Sequence, residues 1–422
     1  MEESRKAHAR KISIIEGAIA TVWGQFSGAF GGNSYLTGFF LWLGASSFAM
    51  SVYNSVFALA NVLQPFLLVT TRKFKSKKAL VRVFAWISRP TFLFLILTPF
   101  LAAGMRVWIA IIVLFILELM VFAVGAVWRS WMSEVVDFRS MGRYFGIRNL
   151  VSGAVAIPSL LIAGYLLDAL GKGFLAFTVF FAIGGVFGVF DAYIFKFQDE
   201  DETKREPVFN LSAMFEVLKI PGDYRKYLIG FALWNFSVAL IGPYPVVMLI
   251  DKFKYNYAML GVLSVVLTAF STLFQPLWGK FGDKYGNFRM LKLALLLQTS
   301  LAFMWFAAVP SIYYIGSLYA LIGIFVTSGV FLMSFNALME LVPSFGKTEA
   351  FSAFMSITSG TAFLGNICSG IIATLLAKVS FTFLFWNVDV YRMVFMISFV
   401  ARIFAAIYVY HLSVGKDKLR VP

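Results

Sequence analysis

Charged side chains inside long apolar stretches are the residues of this sequence best placed to do chemistry. Arg89 lies about ten residues into one stretch and Glu118 about eleven into the next, so at about 1.5 Å per residue both would reach the middle of a bilayer. A charge there costs at least ~2.5 kcal/mol unless it is paired or hydrated. Three interpretations are open: a coupling pair that breaks when Glu118 is protonated, a permanent buried ion pair, or two side chains that point apart.

Three more charges fall within apolar stretches. Arg402 lies at a similar depth in the last stretch, where snorkelling, a lipid headgroup or backbone carbonyls would satisfy it, and we favour a structural role. Glu16 and Asp191 are nearer the ends of their stretches, where we expect hydration. Glu16 precedes Trp23 by seven residues and shares its helix face. The candidates for proton coupling are therefore Glu118, Arg89 and Glu16.

Composition places the chain in a membrane. Of 422 residues, 60% are hydrophobic and 14% charged, with a mean hydropathy of +0.82, whereas soluble proteins are about 25% charged. The net charge of +15 fits basic loops beside a membrane better than a nucleic-acid partner. With one cysteine, two histidines and no nucleophile motif or phosphate-binding loop, we expect no metal site, no cofactor and no enzyme activity.

Twelve stretches are long enough to cross a bilayer, since a span needs roughly 20 apolar residues. A polar segment, 197–226, divides them six and six and includes a candidate surface helix from Leu211 to Ile220. We therefore predict an all-α membrane protein with twelve transmembrane helices in two six-helix bundles, 1–196 and 227–422, joined by a cytoplasmic loop, 197–226. The spans are predicted at about 13–41, 47–70, 79–102, 107–131, 145–169, 174–196, 227–250, 258–280, 289–309, 312–339, 350–377 and 391–411.

Lysine and arginine fall mainly on one side of these spans. If the N-terminus is inside, 28 of the 36 lie in inner segments, six in outer segments and two within spans. Because basic residues accumulate in cytoplasmic loops, this count places both termini in the cytoplasm. No small-residue cleavage site follows the first apolar run, so we expect no removable signal peptide.

The two halves repeat each other. At a spacing of 211 residues the matches are Trp23 with Trp234, Gly31 with Gly242, and Gln64-Pro65 with Gln275-Pro276; at 206 they are Glu134, Phe145 and Gly164 with Glu340, Phe351 and Gly370. Several matches at two nearby offsets indicate duplication and pseudo-symmetric bundles. Paired repeats are typical of alternating-access transporters, which bind their substrate near the midplane.

One loop carries a motif. The residues from Gly279 to Arg289 read G-K-F-G-D-K-Y-G-N-F-R between two apolar runs. Glycines allow a tight turn there, and Asp283 would be free to cap a helix end. This pattern resembles the loop signature of the major facilitator superfamily, and the segment 128–148, W-R-S-W-M-S-E-V-V-D-F-R-S-M-G-R-Y-F-G-I-R, is similar to prokaryotic members. The resemblance covers nearly the whole chain.

The resemblance implies a gate and a cavity. The gate would use Gly279, Asp283, Gly286 and Arg289, with Arg139, Arg143 and Arg148 as candidate partners of the aspartate; the equivalent first-half loop lacks the glycines and the aspartate. Helices one, four, seven and ten would line the cavity, offering Trp23, Gln25, Asn33, Glu118, Trp128, Trp234, Asn235, Tyr244, Tyr314, Thr327 and Asn336. Rings with amides suit a sugar, although at 18% aromatic content most rings must simply pack.

We therefore expect a secondary active transporter of a small organic solute, monomeric and in contact with lipids of the cytoplasmic (inner) membrane. The second span carries no carboxylate, whereas sodium-coupled sugar symporters of the superfamily usually place acids there, so protons are favoured over sodium. A sugar is slightly favoured as the substrate. The alternatives are an exporter of amphipathic drugs or lipids, and a lipid flippase or scramblase.

Overall fold

The computed structural model describes residues 3–29, 33–70, 76–136, 141–199, 211–219, 222–308, 313–341, 347–384 and 386–412. These ranges contain fifteen α-helices and one short hairpin. The helices are α1 Glu3–Ser27, α2 Ser34–Trp42, α3 Ser47–Thr70, α4 Lys77–Thr91, α5 Ala103–Val135, α6 Met141–Ala169, α7 Phe174–Ile194, α8 Leu211–Lys219, α9 Asp223–Ala239, α10 Tyr244–Asp251, α11 Tyr257–Tyr285, α12 Asn287–Ala307, α13 Tyr313–Leu341, α14 Lys347–Leu375 and α15 Val390–His411.

Ten helical segments among the described residues are long and apolar enough to cross a membrane. Two short 3-10 helices, Phe92–Phe100 and Phe195–Phe197, continue α4 and α7. Pro90 lies just before the first of these and Pro99 lies within it, and each lacks the N–H that an α-helix needs. The surface helix predicted in the central loop is present as α8.

Contacts divide the chain into two compact units. The first unit comprises Met1–Ser46, Leu63–Phe209 and Asn256–Val262, and the second comprises Ser47–Val62, Asn210–Tyr255 and Leu263–Pro422. The predicted bundles, 1–196 and 227–422, supply most of the first and second unit respectively. Their exact limits stay a prediction.

Helices pack in the same order in both units. In the first unit, α1 packs against α6 and α7, and α4 packs against α5 and α7. In the second unit, α9 packs against α14 and α15, and α12 packs against α13 and α15. Each core therefore forms around its own first and last predicted spans, and buried rings such as Trp234 and Phe354 pack there with leucine, alanine and valine side chains.

The first predicted span of each half is broken into two helices. α1 is followed by Gly28, whose φ of 68° L-residues rarely adopt, and α9 is followed by Gly242 with a φ of 54°. In the first unit the side-chain oxygen of Asn33 accepts a hydrogen bond of 2.9 Å from the Leu36 N–H and so caps α2. The predicted helices 13–41 and 227–250 are therefore each interrupted once, although Asp223–Asp251 as a whole remains long and apolar enough to span a membrane.

The motif 279–289 is mostly helix rather than loop. α11 continues to Tyr285, and the chain reverses at Gly286, with a φ of 89°, before α12 begins at Asn287. An interior glycine costs a helix only about 1 kcal/mol, so Gly279 does not end it. Asp283 lies exposed in the last turn of α11, and the N-cap of α12 makes no side-chain hydrogen bond. The predicted capping role of Asp283 is therefore wrong.

A β-hairpin lies between α14 and α15 in the second unit. Its strands, β1 Phe381–Phe383 and β2 Trp386–Val388, are antiparallel, with Phe381 opposite Val388. The predicted spans 350–377 and 391–411 leave this segment without a predicted element, because three-residue strands are too short to show a two-residue periodicity.

Candidate functional site: a charged cavity in the first unit

A cavity of about 620 Å³ lies inside the first unit, between α1, α5 and α6. One face of α5 contributes residues at helical spacing, 121, 124, 125, 128 and 129. Its charged, amide, hydroxyl and tryptophan side chains come from Glu16, Thr21, Gln25, Asn33, Arg89, Trp128, Arg129, Arg148 and Asn149. Such a mixed lining suits a small polar solute rather than a purely apolar one.

An ion pair forms part of the cavity wall. Arg148 Nη2 donates a hydrogen bond of 3.0 Å to Glu16 Oε2, with side-chain exposures of 17% and 6%. The guanidinium lies across α1 at Gly17, where an added Cβ would sit 2.8 Å from Arg148 Cζ. The same group lies 4.4 Å from the centre of the Trp128 ring, a cation–π distance. Arg148 is thus held by the ion pair with Glu16, by the cation–π contact with Trp128 and by packing against the α1 backbone at Gly17.

A second ion pair lies deeper. Arg89 Nε donates to Asp191 Oδ2 at 2.7 Å, and the two side chains are 2% and 0% exposed. Arg89 Nη1 also donates to Ser88 Oγ at 2.8 Å, and its guanidinium lies 4.3 Å from the Trp23 ring centre. Arg89 lines the cavity, so this pair joins the cavity wall to the core.

Of the three interpretations left open for Arg89 and Glu118, the structure supports the one in which the two side chains point apart, because Arg89 pairs with Asp191. Glu118, predicted to line the cavity, is fully buried in α5 and does not line it. Asp191 and Glu16, expected to be hydrated, are 0% and 4% exposed. Counting residues gives the depth of a side chain but not the direction in which it points, and Arg89 points toward α7 and α1.

Arg148 also differs from its predicted role. The resemblance made it a candidate partner of Asp283, whereas its carboxylate partner is Glu16. Of the other two candidates, Arg139 lies outside the described residues, and the side chain of Arg143 does as well.

Three predicted cavity residues of the first unit, Gln25, Asn33 and Trp128, do line the cavity. The Asn33 amide is partly committed to structure, since its Nδ2 donates to the Gln25 carbonyl at 2.7 Å. Trp23 is fully buried beneath Arg89 and does not line the cavity.

In the second unit the predicted residues bond to protein. Asn235 Nδ2 donates to the Phe231 carbonyl at 2.8 Å, and the buried Tyr244 hydroxyl lies 2.8 Å from Ser51 Oγ. Further pairs are Asn336 with Asn287 and Thr327 with Gln298, and Trp234 is 2% exposed. The side chain of Tyr314 lies outside the described residues.

Arg402 is buried in the second unit. Its side chain is 4% exposed, and its Nη1 donates to the Gln298 carbonyl at 3.1 Å. Among the alternatives considered from the sequence, contact with a carbonyl is therefore confirmed, and snorkelling to the interface is wrong.

The repeat extends from sequence to contacts. Glu16 and Arg148 shifted by 211 and 206 residues become Tyr227 and Phe354, and these stack in the second unit with ring centres 5.6 Å apart and planes at 6°. The offsets come from the sequence matches, whereas the contacts come from the structure. The same pair of positions thus meets in both units, as an ion pair in one and as an aromatic stack in the other.

A neighbouring pair of positions behaves alike. The Tyr144 hydroxyl donates to Ser13 Oγ at 2.7 Å in the first unit. Ser13 shifted by 211 residues is Tyr224, and Tyr144 shifted by 206 is Ala350. In the second unit the Tyr224 hydroxyl donates a hydrogen bond to the Ala350 carbonyl at 2.7 Å. The tyrosine has changed helices, but the contact is retained.

The deep ion pair of the first unit and the buried Arg402 of the second unit are different solutions for a buried charge. Arg89 is paired with a carboxylate, whereas Arg402 donates to the Gln298 backbone carbonyl. The burial of Asp191 was not predicted, because its distance along α7 does not show which way its side chain points.

Comparisons with known proteins agree with this architecture. No curated protein sequence matches the chain. The nucleoside transporter NupG superposes with a TM-score of 0.69 at 14% identity, over 96% of this chain and 98% of that chain. A bacterial homologue of the human lysosomal transporter Spinster, inward-facing and unoccupied, gives 0.70 at 12%, over 97% of each chain. A D-xylose–proton symporter gives 0.65 at 13%, over 96% of each.

At such low identity these structures establish the fold alone, a twelve-helix, all-α membrane fold. The sequence itself matches the family model of the Major Facilitator Superfamily over residues 22–365, most of the chain. This multi-pass membrane protein belongs to the Major Facilitator Superfamily of transporters, as its motif, its repeats and its helix packing indicate.

Proposed function

We propose that the chain is a proton-coupled secondary transporter that moves a small hydroxylated organic solute by alternating access. The observation that carries this proposal is the cavity of the first unit, which is lined by a carboxylate–arginine pair and by amide side chains. Amides bind hydroxyl groups, and a carboxylate can take up a proton. Transport rather than enzyme chemistry is what superfamily members do in general.

Proton coupling follows from the chemistry of the Glu16–Arg148 pair. In a water-poor site a carboxylate is retained in its charged form chiefly by its partner, so protonation and loss of the partner favour each other. A proton on Glu16 would release the Arg148 guanidinium, which lies on the cavity wall and would then be available to a substrate. Asp191 and Glu118, both fully buried, are the next carboxylates to test.

A sugar skeleton fits the lining. The Trp128 ring lies on the cavity wall with the Gln25 and Asn149 amides, and a ring can stack on the apolar face of a sugar while amides bind its hydroxyls. The fold shared with the D-xylose–proton symporter is compatible with this substrate class but is not by itself evidence for it.

We place the protein in the cytoplasmic (inner) membrane as a monomer, with both termini inside. The distribution of lysine and arginine supports this orientation. Sodium is the alternative coupling ion. The gate is proposed at the end of α11, where Gly279, Asp283, Gly286 and Arg289 match the superfamily pattern.

The test is uptake by purified protein in liposomes, acidic outside, across a panel of sugars and sugar acids. The wild type should accumulate its substrate only while the pH gradient lasts, and Glu16→Gln should exchange substrate but not accumulate it. Glu216→Gln, which removes an exposed carboxylate from α8, is the matched control and should behave as wild type. Proton-driven accumulation by Glu16→Gln at the wild-type level would remove Glu16 from the mechanism.

An exporter of amphipathic compounds is the second candidate. A cavity of about 520 Å³ in the second unit is lined mainly by apolar side chains, among them Leu228, Ile229, Leu233 and Phe236, with Arg225. Such a surface suits a lipid tail or a hydrophobic drug. Transport of dyes or fluorescent lipids in the same liposomes, with no uptake of polar solutes, would favour this function or a flippase.

A further inference from the structure

Arg129 is a cation on the wall of the first-unit cavity that takes no part in the Glu16–Arg148 or Arg89–Asp191 pair. We propose that the substrate carries a carboxylate or phosphate group and that Arg129 binds it. This inference rests on the proposed transport function and narrows its substrate class, from hydroxylated solutes in general to small hydroxylated anions.

Arg129 differs from the other two arginines of the cavity wall. Arg148 pairs with Glu16, and Arg89 pairs with Asp191, which lies behind it. Among the side chains that the structure describes, which do not include that of Glu134, no carboxylate lies within ion-pair distance of Arg129. Arg129 is exposed, and it lines the cavity.

Helix geometry directs Arg129 to this cavity. It follows Val121, Val124, Gly125 and Trp128 on one face of α5, and all five line the same space. A Cβ on Gly125 would lie 3.9 Å from Arg129 Nη2, so the guanidinium runs back along this face past the glycine. The side chain is thus presented along the wall of the cavity.

An anion with hydroxyl groups is complementary to the guanidinium, amide and aromatic groups of this wall. A guanidinium is planar and binds the two oxygens of a carboxylate or phosphate side by side, which a lysine ammonium cannot do. The Gln25 and Asn149 amides and the Trp128 ring remain for a hydroxylated skeleton. A neutral solute would make no charge-assisted hydrogen bond with the Arg129 guanidinium, which is exposed on this wall.

The competing explanation is that Arg129 is only a basic residue near the cytoplasmic end of its span, as the distribution of positive charge requires. The two explanations predict different effects of a lysine at position 129. A topological charge is preserved by Arg129→Lys, whereas a two-oxygen anion contact is weakened by it.

The experiment measures binding and counterflow with matched ligands for the wild type, Arg129→Gln and Arg129→Lys. The panel contains glucose, glucuronate, gluconate, glucose 6-phosphate, lactate and inorganic phosphate, so that carboxylate, phosphate and neutral forms of one skeleton are compared. We expect an anionic member to bind and glucose to bind at least about tenfold more weakly, with a loss of about tenfold or more in Arg129→Gln and an intermediate loss in Arg129→Lys.

Arg5→Gln, which removes an exposed arginine from α1, should leave binding unchanged. The proposal is overturned if glucose binds as well as glucuronate, if Arg129→Gln binds the anion like wild type, or if no anion of the panel binds. Binding is measured without a gradient, so a failure of proton coupling would leave the anion result intact. Proton-driven uptake of a neutral sugar would overturn the anion proposal alone.

Discussion

At the scale of single residues, the Arg89–Asp191 pair is the most deeply buried ion pair described. Breaking such a pair strands one charge, so we expect Arg89→Ala to lower stability by about 3–5 kcal/mol, unless protonation of Asp191 relieves part of the loss. The double variant Arg89→Ala/Asp191→Ala should lose less than the sum of the two single variants. Thermal unfolding in detergent, followed by tryptophan fluorescence, measures all three.

Additive losses in that cycle would mean that the two side chains contribute independently and that the pair is not energetically coupled. Lys226→Ala, which removes a largely exposed partner 3.9 Å from Asp223, is the matched control and should change stability little.

The pair also shows what the sequence can predict at this scale. The depth of Arg89 followed from counting residues, and its need for a partner followed from the cost of a buried charge. Its direction did not follow, because a shift of one residue turns a helix by about 100° and the rotation of α4 about its axis depends on its packing against α5 and α7. Glu118 matched Arg89 in depth, whereas Asp191 lay on the helix that Arg89 points toward.

At the scale of elements, the start of α11 is capped from another helix. Asp168, near the end of α6, accepts hydrogen bonds from the backbone N–H groups of Tyr257 at 3.1 Å and Ala258 at 2.7 Å. A carboxylate at a helix N-terminus accepts hydrogen bonds from backbone N–H groups that have no partner within the helix, and its negative charge interacts favourably with the helix dipole. We expect Asp168→Ala to lower stability by about 1–2 kcal/mol, measured as a fall in the melting temperature.

Lys172 pairs with the same carboxylate at 3.1 Å, and this allows a control. Lys172→Ala removes the ion pair but leaves the cap, so its effect should be small. If the two substitutions lowered the melting temperature equally, the cap would not be the source of the stability.

The other end of α11 gives a different prediction. Asp283 is exposed in the last turn, where a negative charge is unfavourable to the helix dipole. Asp283→Asn should therefore leave the melting temperature unchanged or slightly higher, yet slow transport if the aspartate gates the transporter. A wild-type transport rate in liposomes would count against the gate, and a fall in melting temperature would indicate a structural role instead.

The sequence predicts the end of a helix where an apolar stretch gives way to polar residues. It does not predict a break that lies inside an apolar stretch. The spans near 174–196 and 391–411 correspond closely to α7 and α15, because polar residues follow both. The break after α1 was missed because Gly28 and Asn33 lie within an apolar run, and only the positive φ and the capping bond reveal it.

At the scale of the whole molecule, duplication has preserved contact positions more faithfully than the chemistry at those positions. Positions that form an ion pair in the first unit form a ring stack in the second. In a duplicated fold the packing order is fixed by the shared backbone, so both copies must fill the same sites. Titratable pairs at these sites are found in the first unit.

This asymmetry predicts where coupling resides. Asp191 in α7 and Arg402 in α15 are buried charges on helices that pack against α1 and α9 respectively. A carboxylate can exchange a proton, whereas arginine remains protonated at working pH. Asp191→Asn should therefore change how uptake depends on the pH gradient, while Arg402→Gln should lower stability and leave that dependence as in wild type. Each variant is reconstituted in equal amount, and initial uptake is measured at several imposed gradients. If Arg402→Gln altered the gradient dependence and Asp191→Asn did not, the second unit would carry the coupling and the assignment drawn from the first-unit ion pairs would be wrong.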